Sequence, residues 1–401
     1  MLPPRLLFRT PLAPGPVTLA VLGPMLLGVL ALAFSGCGAL RLGDLPPRAA
    51  WAQEGGGPGR TSADAARLDT GLVQAWRFNA EAAFGPGAPL VAGGYVFAAT
   101  RQGEVQAIRL ATGKRAGVLD AGQALEATPA LAGDTLVVAL AAGRFGVGAY
   151  SLRRGAFVWK RGRRAVTAGP LVLGRLAVVA DTRGTVTAYA LADGTPRWTH
   201  VLPTAPGVPR RTVLAAPVAT SAGIAVADDR GTIRLLDAAT GALVRTLDAG
   251  GPVLNTPAAL GDGLFVPTAR GRLVRLALGA AAGWAFTLPD TTVRFSAPSA
   301  EGADVVVAST DGSVRLLDAA TGALRWTFTT DGALSAAPLL TPTLVFVGTL
   351  RRGVVALDRA TGRAVWERDV GGRVKSAIAP AAGGIVVLAE PRFVYYFKPR
   401  A

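Results

Sequence analysis

An all-β chain closed into one eight-bladed propeller of four-stranded blades is predicted by three observations. A proline recurs at Pro89, Pro129, Pro170, Pro217, Pro257, Pro298, Pro338 and Pro380, in steps of 40, 41, 47, 40, 41, 40 and 42 residues. The best-formed periods end in Asp-x-x-Thr-Gly with a tryptophan four residues further on. The last period lacks that ending, and a tryptophan-bearing segment ahead of the first proline can supply it. A unit of about forty residues carrying four strands cannot bury its faces alone, so such units stack around a ring.

Each proline precedes an apolar run, such as Val137-Val138-Ala139, Val305-Val306-Val307 or Val345-Phe346-Val347. A glycine turn follows, as at Gly184, Gly231, Gly312 and Gly353, and then a second apolar strand such as Val314-Arg315-Leu316-Leu317. The closing element is complete at Asp318-Ala319-Ala320-Thr321-Gly322 with Trp326, and at Asp358-Arg359-Ala360-Thr361-Gly362 with Trp366. Asp and Thr side chains can bond nearby backbone groups in such a turn, and Gly supplies the positive φ it needs. The tryptophan offers a flat face that can wedge between blades.

Other periods depart from this ending. Trp159 and Trp198 keep the spacing after altered turns at Gly155 and Gly194, Asp237 to Gly241 leads to Arg245 where Trp is expected, and Thr112-Gly113 has no Trp after it. Trp76, Trp159, Trp198, Trp326 and Trp366 are therefore the expected blade-docking residues. Trp76 lies in Leu72 to Arg77, the strand expected to complete the last blade. The propeller is placed at 71–399.

The first 37 residues read as an export signal. Arg5 and Arg9 precede an apolar stretch from Val17 to Phe34, which ends in Phe34-Ser35-Gly36-Cys37. A positive start, an apolar core and small residues before a cut site are the marks of a secretory signal. Cys37, the single cysteine of the chain, stands where a lipoprotein signal places its acylated thiol. An uncleaved anchor and a plain secretory signal are the alternatives, and all three put the body outside the cytoplasm. Gly38 after the cysteine points to the outer membrane, with the body facing the periplasm. Residues 38–70, with Pro46-Pro47 and Gly55-Gly56-Gly57-Pro58-Gly59, are expected to be a flexible tether, since so few bulky apolar groups offset little ordering entropy.

The formal charge is +16, from 42 Lys and Arg against 26 Asp and Glu. The cations are spread along the chain rather than gathered on one helix, which suits an ordinary Arg-rich surface, with anionic lipid or an acidic partner as the alternative. Nucleic acid is not expected of an exported chain. Catalytic motifs are not found. His200 is the single histidine, so a zinc cluster has no histidine pair, and no Gly-x-Ser-x-Gly elbow accompanies it. His200 is expected on the surface, in an inserted loop, and Asp228-Asp229 in a solvated turn. Gly143 to Gly148 imitates a phosphate loop without its Lys-Ser or Lys-Thr.

The forty-residue period, the Asp-x-x-Thr-Gly turn and its tryptophan resemble the quinoprotein-type (PQQ-like) propeller repeat over residues 72 to 398. With a lipoprotein signal in front, the chain resembles the BamB family, the lipoprotein subunit of the outer-membrane β-barrel assembly machinery. That resemblance implies a non-catalytic scaffold in the cell envelope, lipid-anchored, with a protein partner and no cofactor. The long step between Pro170 and Pro217 falls where that family carries a partner-contacting loop, which makes Arg210, Arg211 and Leu214 candidate contacts. The family's Leu-x-Leu-Arg-Gly stretch is not reproduced. Quinoprotein dehydrogenases, which share the repeat, stack their quinone on a disulfide of adjacent cysteines and hold Ca²⁺ with Glu and Asn. A chain with one cysteine cannot form that disulfide, and its asparagines are Asn79 and Asn255 alone. Two other readings stay open: a degenerate quinoprotein or ligand sensor using the channel, and an envelope protein with an unrelated partner.

Overall fold

The computed structural model describes residues 39–43, 45, 51–68, 70–203, 212–351 and 353–400. All regular elements among them are strands, thirty-two in number, arranged as eight four-stranded antiparallel sheets. The eight-bladed propeller is confirmed. Blades 1 to 7 run in chain order over residues 90–120, 130–161, 171–201, 218–248, 258–287, 299–329 and 339–369. Blade 8 takes three strands from residues 379–399 and its outermost strand, Leu72–Asn79, from the other end of the chain. That strand pairs with Phe393–Pro399 from Leu72↔Pro399 to Asn79↔Phe393. Closure is thus made of backbone hydrogen bonds, and the C-terminal strand is paired on both sides.

The short first strand of each blade lies innermost, neighbouring the first strands of the blades beside it. The two middle strands are buried almost throughout, as in Asp304–Ala308 and Gly384–Ala389. They read as continuous apolar runs because each is covered on both faces by the adjoining blades. Outer strands alternate, as in Leu324–Thr329, with one face on the next blade and one in solvent.

One detail of the repeat needs correction. Seven of the prolines directly precede an innermost strand, whereas Pro380 is the middle residue of its strand, Ala379–Ala381. The position that matches the other seven is Ile378.

Residues 51–64 depart further from expectation. They are not a tether: they make one circuit inside the ring, bonding in turn to the second residue of seven innermost strands. Trp51 exchanges both backbone bonds with Val91, at 3.0 and 3.1 Å, and the Leu131 amide donates to the Ala52 carbonyl at 2.7 Å. The Gln53 side chain accepts from the Val172 amide at 3.0 Å. Carbonyls of Pro58, Gly59, Thr61 and Ser62 then accept from the amides of Ala219, Ala259, Ala300 and Leu340, at 2.8 to 2.9 Å. In the eighth blade the corresponding residue is Pro380, which has no N–H to satisfy. Inward-facing amides need acceptors, and the plug supplies them wherever one exists. The glycines fit its tight path: a Cβ on Gly56 would lie 2.7 Å from the Trp51 ring, and Gly56 itself has φ 83°.

Candidate functional site

Three places could carry function: the axis, the junctions between blades, and the inserted loop of blades 3 and 4.

At the axis, the plug buries a cation. Arg60, 3 % exposed, donates to the carbonyls of Pro170 at 2.9 Å and Glu54 at 3.0 Å, and at 3.4 Å to those of Gly169 and Pro217. Burial pushes its pKa below the ordinary arginine value, against the pull of the Glu54 carboxylate. Glu54 in turn accepts from the Thr256 hydroxyl at 2.9 Å. This set of bonds pins the plug to the starts of blades 3, 4 and 5. Above it a cavity of about 200 Å³ opens at the channel mouth, with Glu54, Arg60, Glu126, Asn255 and Lys375 in its wall. Asn255 is already engaged, donating to the Phe295 carbonyl at 2.7 Å.

A quinone cofactor is the group this fold brings to mind, and the residues present do not fit it. The axis is filled by Trp51, Arg60 and the glycine turns of the chain itself. Among the described residues no three His, Cys, Asp or Glu side chains stand close enough to share a metal ion. Asp228, expected in a solvated turn, is fully buried. Its carboxylate accepts from the amides of Arg230 and Thr232 and pairs with Arg234 at 3.0 Å. The adjacent turn and the next strand enclose it, so it is an internal ion pair. His200 lies on the outer strand Pro196–Val201, opposite Val186, and not in the inserted loop.

The junctions follow one rule with two exceptions. The indole N–H of each docking tryptophan donates to a carbonyl of the next blade, and in every case but Trp366 its ring covers the turn glycine there. Trp326 donates to Arg359 at 2.9 Å, and a Cβ on Gly362 would lie 2.7 Å from its ring. Trp76, Trp159 and Trp198 do the same to Leu110, Leu191 and Ala238, at 2.7, 2.9 and 3.0 Å. Trp366 reaches Leu72 at 3.0 Å and so ties blade 7 to the closing strand. Trp284, which the altered fifth repeat hid from sequence reasoning, donates to Ala319 at 3.0 Å. Between blades 4 and 5, Arg245 replaces the indole and donates to Ala277 at 2.8 Å.

Between blades 1 and 2 the docking position is Gly117, paired with Ala107 as Trp159 is with Ala149. Its missing ring is replaced from outside the repeat. Leu40, fully buried, lies across Gly117, where a Cβ would come within 3.1 Å of it. The Leu40 amide donates to Val118, and the Leu42 amide to Leu152, both at 2.9 Å. Leu152 stands three residues before its turn glycine, as Leu191 and Arg359 do, so its carbonyl is the one an indole would have used. Tyr150 secures the segment by donating its hydroxyl to the Leu40 carbonyl at 3.0 Å. Residues 39–43 are therefore a latch. The signals for it were the glycine at a tryptophan position and the leucines Leu40, Leu42 and Leu45 ahead of Pro46-Pro47.

Of the inserted loop, residues 204–211 lie outside the described residues. Arg210, Arg211 and Cys37 lie outside the described residues. Leu214 is at the channel mouth and 42 % exposed, between the buried Val213 and Ala215.

Fold and repeat chemistry together define a PQQ-like eight-bladed propeller. The chain belongs to the family of the outer membrane protein assembly factor BamB, whose model matches residues 64–219, 209–326 and 310–397. BamB from Moraxella catarrhalis is similar in structure, with a TM-score of 0.65 at 20 % identity over 82 % of this chain and 97 % of that one. The computationally designed Ika8 protein gives 0.67 at 15 %, over 80 % and 98 %. Quinohemoprotein alcohol dehydrogenase from Comamonas testosteroni gives 0.72 at 15 %, over 88 % and 82 %. These likenesses establish the fold, which scaffold and dehydrogenase share. No curated protein matches the chain.

Proposed function

We propose that this protein is a non-catalytic scaffold of the cell envelope, a lipoprotein acylated at Cys37 that faces the periplasm from the outer membrane and assists outer-membrane protein assembly through a protein partner. The observation that carries this reading is the plug. A propeller that fills its own axis with backbone-bonded chain leaves little room there for a cofactor, and keeps its loops and rim for contact. Membership in the BamB family supplies the class of partner. The loop before blade 4, with Arg210, Arg211 and Leu214, is the candidate contact, since arginine is a residue that interface hot spots favour.

The test is crosslinking in the native envelope from a photoreactive residue at Leu214, with one at Leu324 on blade 6 as control. Recovery of an outer-membrane barrel-assembly subunit from position 214 alone is expected. A cytochrome as the captured partner, or a quinone that copurifies with the protein, would contradict the scaffold reading.

A further inference from the structure

We propose that the outer wall of blades 1 and 2 is the surface this protein lays against an anionic lipid leaflet, held there by the latch. The inference rests on the lipoprotein reading of Cys37.

The first argument is reach. Ala39 bridges to Val118 of blade 1, and it lies two positions after Cys37, with Gly38 between them. Two residues of extended chain span at most about 7 Å. Acyl chains on Cys37 would therefore enter the leaflet within that distance of the blade 1–2 wall. Chain on the far side of the latch gives no slack, because residues 51–64 are bonded around the axis.

The second argument is charge. Residues 109–164 contain ten Lys and Arg against three Asp and Glu, whereas residues 258–331 contain six against seven. The sign of the difference is visible in the ion pairs. On blades 6 and 7, Arg325 and Arg359 are held by Asp304, Asp318 and Glu301 at 2.5 to 2.7 Å. On blade 2, Arg153 has Asp134 at 3.9 Å, and Arg41 of the latch donates to the Arg153 carbonyl instead of to a carboxylate. Lys114, Arg115, Arg154 and Arg161 are exposed on the same wall. Each cation close to an anionic surface adds to the attraction, which falls off over a Debye length. Val158, exposed on the outer strand of blade 2, adds an apolar contact among them. An acidic protein would also match the charge, but the acyl attachment two residues from the latch places lipid there first.

The experiment uses mature acylated protein in vesicles of phosphatidylethanolamine and phosphatidylglycerol that carry a headgroup quencher. Val158→Cys and Leu324→Cys, on diametrically opposite blades, each receive a fluorophore, and intact mass reports the lipid on Cys37. Quenching several-fold stronger at 158 than at 324 is expected, with the difference lost when Leu40 and Leu42 are both replaced by Gly. Equal quenching at the two sites on a protein of acylated mass would overturn the seating alone. A mass without lipid would overturn the lipoprotein reading, and this inference with it.

Discussion

The junction of blades 6 and 7 and the junction of blades 1 and 2 solve one problem with different parts. At the first, Trp326 lays its ring on Gly362 and its N–H on the Arg359 carbonyl. At the second, Leu40 covers Gly117 and the Leu42 amide takes the equivalent carbonyl of Leu152. At six of the eight joints the docking site is a turn glycine with a carbonyl three residues before it. What fills it is exchangeable, provided it supplies one donor and one apolar face. A repeat protein can therefore lose its signature residue at one joint and remain closed, at the cost of committing a distant segment to that joint.

Breaking each joint in turn sharpens the comparison. Trp326→Ala removes both ring and donor, and is expected to cost about 3 kcal/mol or more. Leu40→Ala removes the apolar face but leaves the Leu42 backbone donor, so its cost should be smaller, about 2 kcal/mol. Denaturant unfolding checks the order. Hydrogen exchange checks the location, since Leu40→Ala should deprotect the outer strands Arg115–Asp120 and Ala156–Arg161 and leave blades 6 and 7 unchanged.

A smaller effect tests the plug. Pro380→Ala introduces an amide facing the axis at the one blade where the plug offers no acceptor, and a loss of about 1 kcal/mol is expected. Unchanged stability would mean that the seven plug bonds are incidental to the amides they meet.

The smallest effect belongs to the turns. The Asp318 carboxyl is held down to about 2, first by the Arg325 guanidinium and then by the backbone and hydroxyl of Thr321. Its unfolded value is near 3.9. A depressed folded pKa contributes stability that is complete above the unfolded value and disappears as pH falls towards the folded one. Asp318→Asn should therefore flatten the fall in melting temperature between about pH 4 and pH 2, and Asp358→Asn less so, since its depression rests on Thr361 and lacks an arginine.

Much of the ring was legible because its evidence is periodic. Blade number, the shared last blade and five of the six docking tryptophans follow from spacing alone. Trp284 escaped because its turn lost the Thr-Gly pair. The latch and the plug escaped for a deeper reason. Leu40 acts on Gly117, and Pro58 on Ala219, across separations that no local pattern encodes. The plug is held by carbonyls, which every residue has, so a composition poor in apolar side chains gave the appearance of a tether. Asp228 was misread in the same way, since an Asp-Asp pair in a turn looks solvated until the arginine across the strand is known.

The account depends most on Leu40 and its neighbours standing in for a tryptophan, and Gly117→Trp tests that directly. In the full chain the new ring must displace Leu40, and the melting temperature should fall. In a chain beginning at residue 50, which lacks the latch, the same substitution restores the missing ring and should raise it. A change of the same sign in both chains would contradict the account.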